Sequence, residues 1–190
     1  MKQVYYSTSY FSPIGAMTLA CDGDGNLVGL WLNPQKYHGG AIPGEITEKD
    51  DLPIFAVVKK WLDRYFARKK PAITELPLAP IGGEFRQNVW RILREIPYGE
   101  VTSYGEIAKK LAVKTGLKNM SAQAVGGAVG HNPISIIIPC HRVVGADGNL
   151  TGYAGGIDKK VKLLEHEGVD MWRKSPDLRV RVRTAPRNVS

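Results

Sequence analysis

Hydrophobic and polar residues along the first third of the chain follow the pattern of a small β-sheet. The β-rich runs are 4–6, 14–20 and 27–32. Residues 22–26 predict a hairpin turn between the last two runs, because the Gly and Asn found there tolerate a positive φ. Segment 33–52 is rich in proline, glycine and charge, and it predicts a surface loop.

After Pro53 the hydrophobic spacing changes to that of an amphipathic helix, and Pro53 itself suits the first turn. The predicted apolar face of this helix consists of Ile54, Val57, Val58, Trp61, Leu62 and Tyr65. In segment 71–83, prolines and glycines flank isoleucine and leucine, which predicts a linker between two modules.

The second module has mostly helical spacing. Its first apolar stripe consists of Phe85, Val89, Trp90, Leu93 and Ile96. Ser103 and Glu106 predict a capping box at the start of the next helix, and Ser121 predicts the cap of a third. Two short helices in succession have the outline of a helix-turn-helix, which is a weak signal by itself.

Two adjacent glycines, Gly126 and Gly127, interrupt the third helix of this module. Each costs a helix about 1 kcal/mol relative to alanine. The pair therefore indicates that something approaches the backbone closely, either another element of the protein or a ligand.

The candidate nucleophile follows an apolar run. Residues 134–138 predict a buried strand that leads into Pro139, Cys140 and His141. Successive side chains of a strand point to opposite faces, so a working cysteine–histidine pair needs a local turn or a bridging water. Taken singly, Cys140 is typical of a small buried hydrophobe, and His141 of a histidine bonded to the backbone.

A last helix is predicted over 159–167, with Asp158 as its cap and Gly168 as its end. Glu167 places an anion at the helix C-terminus, where the dipole disfavours it, so we expect a cationic or hydrogen-bonding partner for this carboxylate. The glycine-rich residues 152–156 predict either a simple turn or the wall of a flat ligand pocket.

The overall composition is that of an ordinary globular protein, with 43% hydrophobic and 23% charged residues. No run approaches the roughly 18 apolar residues of a membrane span. The first residues lack the apolar core of a secretory signal. Two cysteines are too few for a disulfide framework, so we expect a reduced, cytoplasmic protein, or a nuclear one in a eukaryote.

The net charge of +8 is concentrated at one end of the chain. Residues 171–190 carry six Lys and Arg against one acidic residue. This basic tail either attracts phosphate without specificity or forms a solvated, disordered end. Net charge is therefore weak evidence that the body of the protein binds nucleic acid.

Six runs between Phe85 and Gly168 resemble, in the same order, the catalytic domain of the O6-alkylguanine-DNA alkyltransferases (methylated-DNA–protein-cysteine methyltransferases). The runs are 85–90, 96–104, 124–128, 132–133, 138–144 and 163–168. Residues 12–15 and the hairpin after them resemble the N-terminal domain of that family.

The resemblance implies a fold of two domains and a tail. Residues 1–80 would form an α/β domain, with a ribonuclease H-like small sheet and a helix. Residues 81–170 would form a mostly α-helical, winged-helix-like catalytic domain with a helix-turn-helix. The basic tail 171–190 would follow.

The resemblance also implies a set of catalytic roles. Cys140 resembles the thiol that accepts the alkyl group, His141 the base that takes the thiol proton through a water, and Glu167 the carboxylate that orients the imidazole. Tyr104 resembles the phenol that donates a proton toward the departing guanine. Asn132 resembles the hinge that ties the helix-turn-helix to the active-site segment.

In this family the damaged base is flipped out of the duplex, because its alkyl carbon cannot be reached inside the stack. The DNA-contacting residues implied here are Ser103, Tyr104, Ala122, Gln123, Gly126, Gly127 and Arg142. Among them, Gln123 takes the place of an arginine that fills the gap left by the flipped base. The implied walls of the alkylguanine pocket are Val129, Val143, Tyr153, Ala154 and Gly155.

The sequence therefore predicts a single-turnover DNA repair enzyme. It would move the alkyl group irreversibly from O6-alkylguanine in double-stranded DNA to Cys140, as a monomer and without a cofactor or metal. Two other classes stay open. One is a DNA-binding protein that senses alkylated bases without efficient transfer, and the other is a cysteine hydrolase, which would regenerate its thiol at every turnover.

Overall fold

A computed structural model describes residues 3–169 of the chain. Its N-terminal part contains a sheet of four strands, β1 (Tyr5–Ser12), β2 (Gly15–Asp22), β3 (Leu27–Leu32) and β4 (Ile46–Glu48). The strands lie in the order β3-β2-β1-β4, and β4 runs parallel to β1 while the other pairs are antiparallel. The predicted hairpin between β2 and β3 is confirmed, whereas β4 lies in the segment predicted as a loop.

Helix α1 (Pro53–Phe66) packs an apolar face against this sheet, with Pro53 in the first turn as predicted. One predicted member of that face is wrong, because Val57 is 47% exposed. Phe55 is buried instead, since it lies three residues before Val58 and seven before Leu62 and so shares their side of the helix.

The segment predicted as a linker, 71–83, is bonded to the sheet rather than free. The Leu27 N–H donates to the Pro77 carbonyl (2.8 Å), and the Ala79 N–H donates to the Leu27 carbonyl (2.9 Å). The Trp61 indole N–H also donates to the Ala72 carbonyl (2.9 Å). The chain therefore leaves the first domain along the outer edge of β3.

The second part contains four helices and a short pair of parallel strands. The helices are α2 (Glu84–Leu93), α3 (Tyr104–Thr115), α4 (Ala122–Gly130) and α5 (Ile157–His166), and the strands are β5 (Thr102–Ser103) and β6 (Val143–Val144). A helix-turn-helix of α3 and α4 is thus present in a mostly helical domain, as expected.

The predicted helix caps are confirmed in part. The hydroxyls of Ser103 and Ser121 accept hydrogen bonds at the starts of α3 and α4. The Glu106 carboxylate pairs with Lys109 instead of reaching back, so the second half of the capping box is wrong. The predicted Asp158 cap is also wrong, because α5 begins at Ile157, two residues earlier than predicted, and its N-cap residue Gly156 makes no side-chain cap bond.

The strand predicted over 134–138 is wrong, although its residues are buried as expected. Only Ile134 pairs like a strand, in an isolated bridge with Leu30. The Ser135 N–H donates to the Leu30 carbonyl (2.9 Å), and the Ile138 N–H turns back to the Ile134 carbonyl (3.0 Å). Hydrogen bonds of turns therefore satisfy backbone polar groups of this apolar run, which lies where the two domains meet.

One hydrophobic core runs through both domains. A single cluster of buried side chains joins Met17 and Leu30 of the sheet, Trp61 of α1, Trp90 of α2 and Ile137. Phe85, predicted on the α2 stripe, is 37% exposed and lies at its margin. Among residues 3–169, none of the helices has the length and apolar character that crossing a membrane requires.

Candidate active site

The carboxylate of Glu167, directly after α5, is buried and accepts five hydrogen bonds. The donors are Tyr65 Oη (2.7 Å), His141 Nε2 (2.7 Å), Arg142 Nε (2.8 Å), Arg142 Nη2 (3.0 Å) and the Gly99 N–H (3.1 Å). Glu167, an anion at a helix C-terminus, therefore has both a cationic partner and hydrogen-bonding partners, as expected.

Gly99 can donate to this carboxylate because it has no side chain. Its φ is +80°, and a Cβ at this position would lie 2.9 Å from the Glu167 carbonyl oxygen. Only glycine fits such a close approach of two backbones without strain.

The protonation states around Glu167 follow from burial and charge. Burial alone would raise the pKa of Glu167, but the hydrogen bonds and charges of His141 and Arg142 outweigh it and hold the pKa well below the ordinary value. Burial lowers the pKa of His141, against the attraction of Glu167, so the imidazole is neutral near pH 7.

This arrangement fixes the tautomer of His141. An ionised carboxylate can only accept hydrogen bonds, so the imidazole proton must lie on Nε2, which faces Glu167. The other nitrogen, Nδ1, then carries a lone pair. It is buried and has no hydrogen-bond partner within residues 3–169. A proton acceptor is therefore held one residue from the cysteine.

Cys140 opens a short 3-10 helix (Cys140–Arg142), which supplies the local turn that a cysteine–histidine pair needs. Its sulfur accepts a hydrogen bond from Asn132 Nδ2 (3.1 Å). Burial raises the pKa of the Cys140 thiol, and the Asn132 bond and the charge of Lys160 counteract this only in part. The thiol is therefore protonated at rest and needs a base to become a nucleophile.

Asn132 connects the end of α4 to this turn. Its Nδ2 also donates to the Ile138 carbonyl (2.8 Å), and its Oδ1 accepts from the Ile134 N–H (3.1 Å). The side chain thus lies between α4 and Cys140, where the implied hinge would have to be.

Tyr104, at the start of α3, borders a cavity of about 250 Å³. Its hydroxyl donates to the Thr151 carbonyl (3.1 Å). Burial raises the pKa of Tyr104, and the proximity of Cys140 raises it further. The cavity is lined by Lys36, Tyr37, Tyr104, Gly126, Gly127, Gly130, His131, Gly152, Tyr153 and Ala154.

The predicted pocket walls are only partly at this cavity. Tyr153 and Ala154 line it, but Val129 and Val143 are buried in the core with 4% and 0% exposure. Gly155 packs under the first domain, since a Cβ there would lie 2.8 Å from Leu32 Cδ1. Val129, Val143 and Gly155 therefore pack into the protein interior behind the cavity and do not line it.

The outer face of α4 carries the predicted DNA-contacting residues Ala122, Gln123 and Gly127, which are exposed. A Cβ added at Gly127 would meet nothing within 4 Å, and one at Gly126 would meet only the Tyr104 ring, at 3.7 Å. Helix packing therefore does not account for the glycine pair, and the arrangement favours the close approach of a ligand.

Two predicted DNA contacts need correction. Ser103 and Arg142 are each only 6% exposed. The Ser103 hydroxyl caps α3, while the Arg142 guanidinium binds Glu167 and the Ile96 carbonyl (2.6 Å). Both side chains are thus satisfied inside the protein and do not face a duplex.

Tyr65 and Lys160 belong to the site, although sequence reasoning missed both. The sequence placed Tyr65 on the apolar face of α1, and no local signal reveals a hydroxyl partner 102 residues away. Lys160 is fully buried and donates to the carbonyls of Val143 and Thr151 (3.2 Å to the latter). Burial lowers its pKa to about 8. The sequence did contain a signal for the burial of Lys160, because Lys160 shares the inner face of α5 with Leu163 and Leu164.

Known proteins are similar to this chain in sequence and in fold. Family models of 6-O-methylguanine DNA methyltransferase match residues 4–80 with the ribonuclease-like domain and 84–169 with the DNA-binding domain. The methylated-DNA–protein-cysteine methyltransferase of Haemophilus influenzae is 40% identical over 169 residues, covering 89% of each chain. That of Methanosarcina acetivorans is 42% identical over 166 residues, covering 87% of this chain and 99% of the relative.

A solved structure also matches this chain in fold. The crystal structure of Mycobacterium tuberculosis OGT in complex with DNA matches with a TM-score of 0.72 at 40% sequence identity, covering 86% of this chain and 91% of that one. The chain therefore belongs to the 6-O-methylguanine DNA methyltransferase family.

The depressed pKa of Glu167 predicts a specific loss of stability in acid. Its folded pKa lies below the unfolded value, so its contribution is complete above about pH 5 and declines as the pH falls toward the folded pKa. Glu167→Gln should lower the free energy of unfolding by about 3–5 kcal/mol at pH 7, since it leaves Arg142 buried without its anion. The gap between wild type and variant should narrow below about pH 4.5.

Urea denaturation of both proteins between pH 7 and pH 3.5 measures this gap. Asp147→Asn, a change at an exposed carboxylate, is the matched control and should show no comparable gap. A wild-type advantage over Glu167→Gln that stays constant down to pH 3.5 would contradict the assignment.

Proposed function

We propose that Cys140 is the acceptor thiol in the alkyl-transfer DNA repair that members of this family carry out. The sulfur attacks the alkyl carbon on guanine O6, so an S–C bond forms while the C–O6 bond breaks. The thiol proton passes to His141, and the departing guanine takes up one proton. The step therefore balances, because the alkyl group moves from guanine to sulfur and one proton moves from the protein to guanine. The thioether that forms is not cleaved again.

The observation that carries this proposal is the buried Glu167–His141 pair beside a protonated thiol. Because Nε2 donates to the carboxylate (2.7 Å), the Nδ1 lone pair is the free basic position of the imidazole. A water between Sγ and Nδ1 relays the proton, and Glu167 stabilises the imidazolium that results.

Two further groups support a thiolate at Cys140. The charge of Lys160 lowers the pKa of the thiol, as does the hydrogen bond from Asn132. Both groups are buried and held by backbone carbonyls, so they need no rearrangement when negative charge develops on sulfur.

Tyr104 acts at the leaving group. Burial raises its pKa, which keeps the phenol protonated and able to donate toward the flipped guanine. At rest its proton is directed to the Thr151 carbonyl, at the rim of the cavity. A base entering the cavity offers an alternative acceptor, and the hydrogen bond strengthens as negative charge develops on the guanine.

The substrate is double-stranded DNA that carries O6-alkylguanine. The exposed face of α4, with Ala122, Gln123 and Gly127, supports insertion against a groove, because its small side chains let the helix backbone come close. The lesion base leaves the stack to reach the buried sulfur. One chain supplies every group named, so a monomer is sufficient for the proposed reaction.

The acceptor role predicts a permanent change of mass. After incubation with duplex DNA containing one O6-methylguanine, the peptide with Cys140 should gain one methyl group in stoichiometric yield, as seen by mass spectrometry. Cys140→Ala should gain none, and Cys21→Ala, which removes the other buried cysteine, should react like wild type. Multiple turnovers with an unmodified protein would instead indicate a hydrolase, and DNA binding without transfer would indicate a sensor.

The donor role of Tyr104 predicts a loss of rate without a loss of binding. Tyr104→Phe keeps the ring but removes the hydroxyl, so single-turnover methyl transfer should slow by at least about tenfold. Affinity for the damaged duplex, measured in a Cys140→Ala background, should change less than about twofold. An equal loss of rate and affinity would argue that the hydroxyl only binds DNA.

Gln123 takes the place of the arginine that the family resemblance implies on this helix. Gln123→Arg should tighten binding to damaged duplex several-fold, because a cation at the exposed start of α4 would lie near the phosphates. Fluorescence anisotropy in a Cys140→Ala background measures this, with Phe11→Arg, the same charge on the exposed β1 hairpin, as control. Equal affinities for Gln123→Arg and the parent would mean that α4 does not approach the duplex at this point.

A further inference from the structure

Three consecutive residues in the loop after β3 hold three different parts of the catalytic domain. Gln35 Oε1 accepts from the Ser135 hydroxyl (3.2 Å), next to the turn that leads to Cys140. The Lys36 N–H donates to the Ala154 carbonyl (3.2 Å). The Tyr37 ring stacks on His131, with centroids 4.1 Å apart and planes 21° apart. The first domain thus reaches the cavity beside the thiol.

The Tyr37–His131 pair is held in place from both sides. His131, at the end of α4, is fixed through Nδ1 to the Gly127 carbonyl (2.7 Å). Lys36 Nζ lies 5.0 Å from the centroid of the Tyr37 ring. Tyr37 also has a φ of +63°, a value that tyrosine rarely adopts and that the surrounding contacts must maintain.

Both rings line the 250 Å³ cavity. Lys36 is the other residue that the first domain contributes to its wall. The remaining wall residues come from α3, α4 and the 152–154 loop. Tyr37 is 46% exposed, so its ring is only partly covered by His131 and Lys36. An apolar aromatic surface therefore remains available to whatever occupies the cavity.

A reacting alkyl carbon must come within about 3–3.5 Å of the Cys140 sulfur. That sulfur is buried and is hydrogen-bonded to Asn132 Nδ2 (3.1 Å), the residue directly after His131 of the cavity wall. The cavity lined by His131, Tyr104 and Tyr153 is therefore the space available to atoms beyond the reacting carbon. A methyl group has no such atoms, whereas a benzyl group carries a whole ring.

We propose that Tyr37, stacked on His131, is a specificity-determining wall of the alkylguanine pocket that favours O6-substituents with an aromatic ring. This inference rests on the proposed function of Cys140. It assigns to the first domain a direct part in substrate selection, through ring–ring contact with the substituent rather than with the DNA backbone.

The test compares single-turnover transfer from two duplexes that differ only in carrying O6-benzylguanine or O6-methylguanine. Tyr37→Ala should lower the benzyl-to-methyl rate ratio by about fivefold or more, as expected for the loss of one aromatic contact. Tyr37→Phe, which keeps the ring, should retain the wild-type ratio within about twofold. Phe11→Ala, which removes an aromatic side chain that is 81% exposed on the β1 hairpin, is the surface control.

His131→Leu provides an independent variant, because it removes the ring on which Tyr37 stacks, and it should lower the same ratio. The proposal is overturned if Tyr37→Ala leaves the ratio unchanged, if both rates fall equally, or if Tyr37→Phe loses as much as Tyr37→Ala. Failure of the wild type to transfer either group would instead overturn the proposed function. Thermal unfolding of each variant separates these outcomes from loss of the fold.

Discussion

A carboxylate withdrawn from water must receive its hydrogen bonds from the protein, and around Glu167 the donors come from three separate stretches of chain. Tyr65 reaches it from α1, Gly99 from the turn after α2, and His141 with Arg142 from the 3-10 helix. Because these groups are fixed by one anion, the fold of both domains and the tautomer of the imidazole are set together. The chemistry proposed for Cys140 depends on that tautomer.

The charges near the sulfur also suit the reaction. Glu167 and Arg142 offset one another, and the buried Lys160 adds a cation beside the thiol. The resting site therefore holds a surplus positive charge, which a thiolate at Cys140 would neutralise. Burial makes this arrangement costly at rest, as the lowered pKa of Lys160 indicates, and the cost is relieved as the nucleophile forms.

Much of the architecture could be predicted from local patterns, since the β2–β3 hairpin, the Pro53 helix and the serine caps are decided by neighbouring residues. The sequence motifs also brought out Cys140, His141 and Glu167. Long-range packing could not be predicted in the same way. The apolar run at 134–138 has the composition of a strand but is buried as a turn. Arg142 was implied as a DNA contact, but its guanidinium binds the buried carboxylate of Glu167.

The hydrogen bond between Tyr65 and Glu167 joins the two domains at the carboxylate that also binds His141. Separating the domains would strip a buried anion of one of its donors, which costs free energy, so this bond stabilises their contact. A sulfur buried in this way can meet only a base that has left the stack, so under the proposed function lesions that already weaken their base pair would be the easiest to extract.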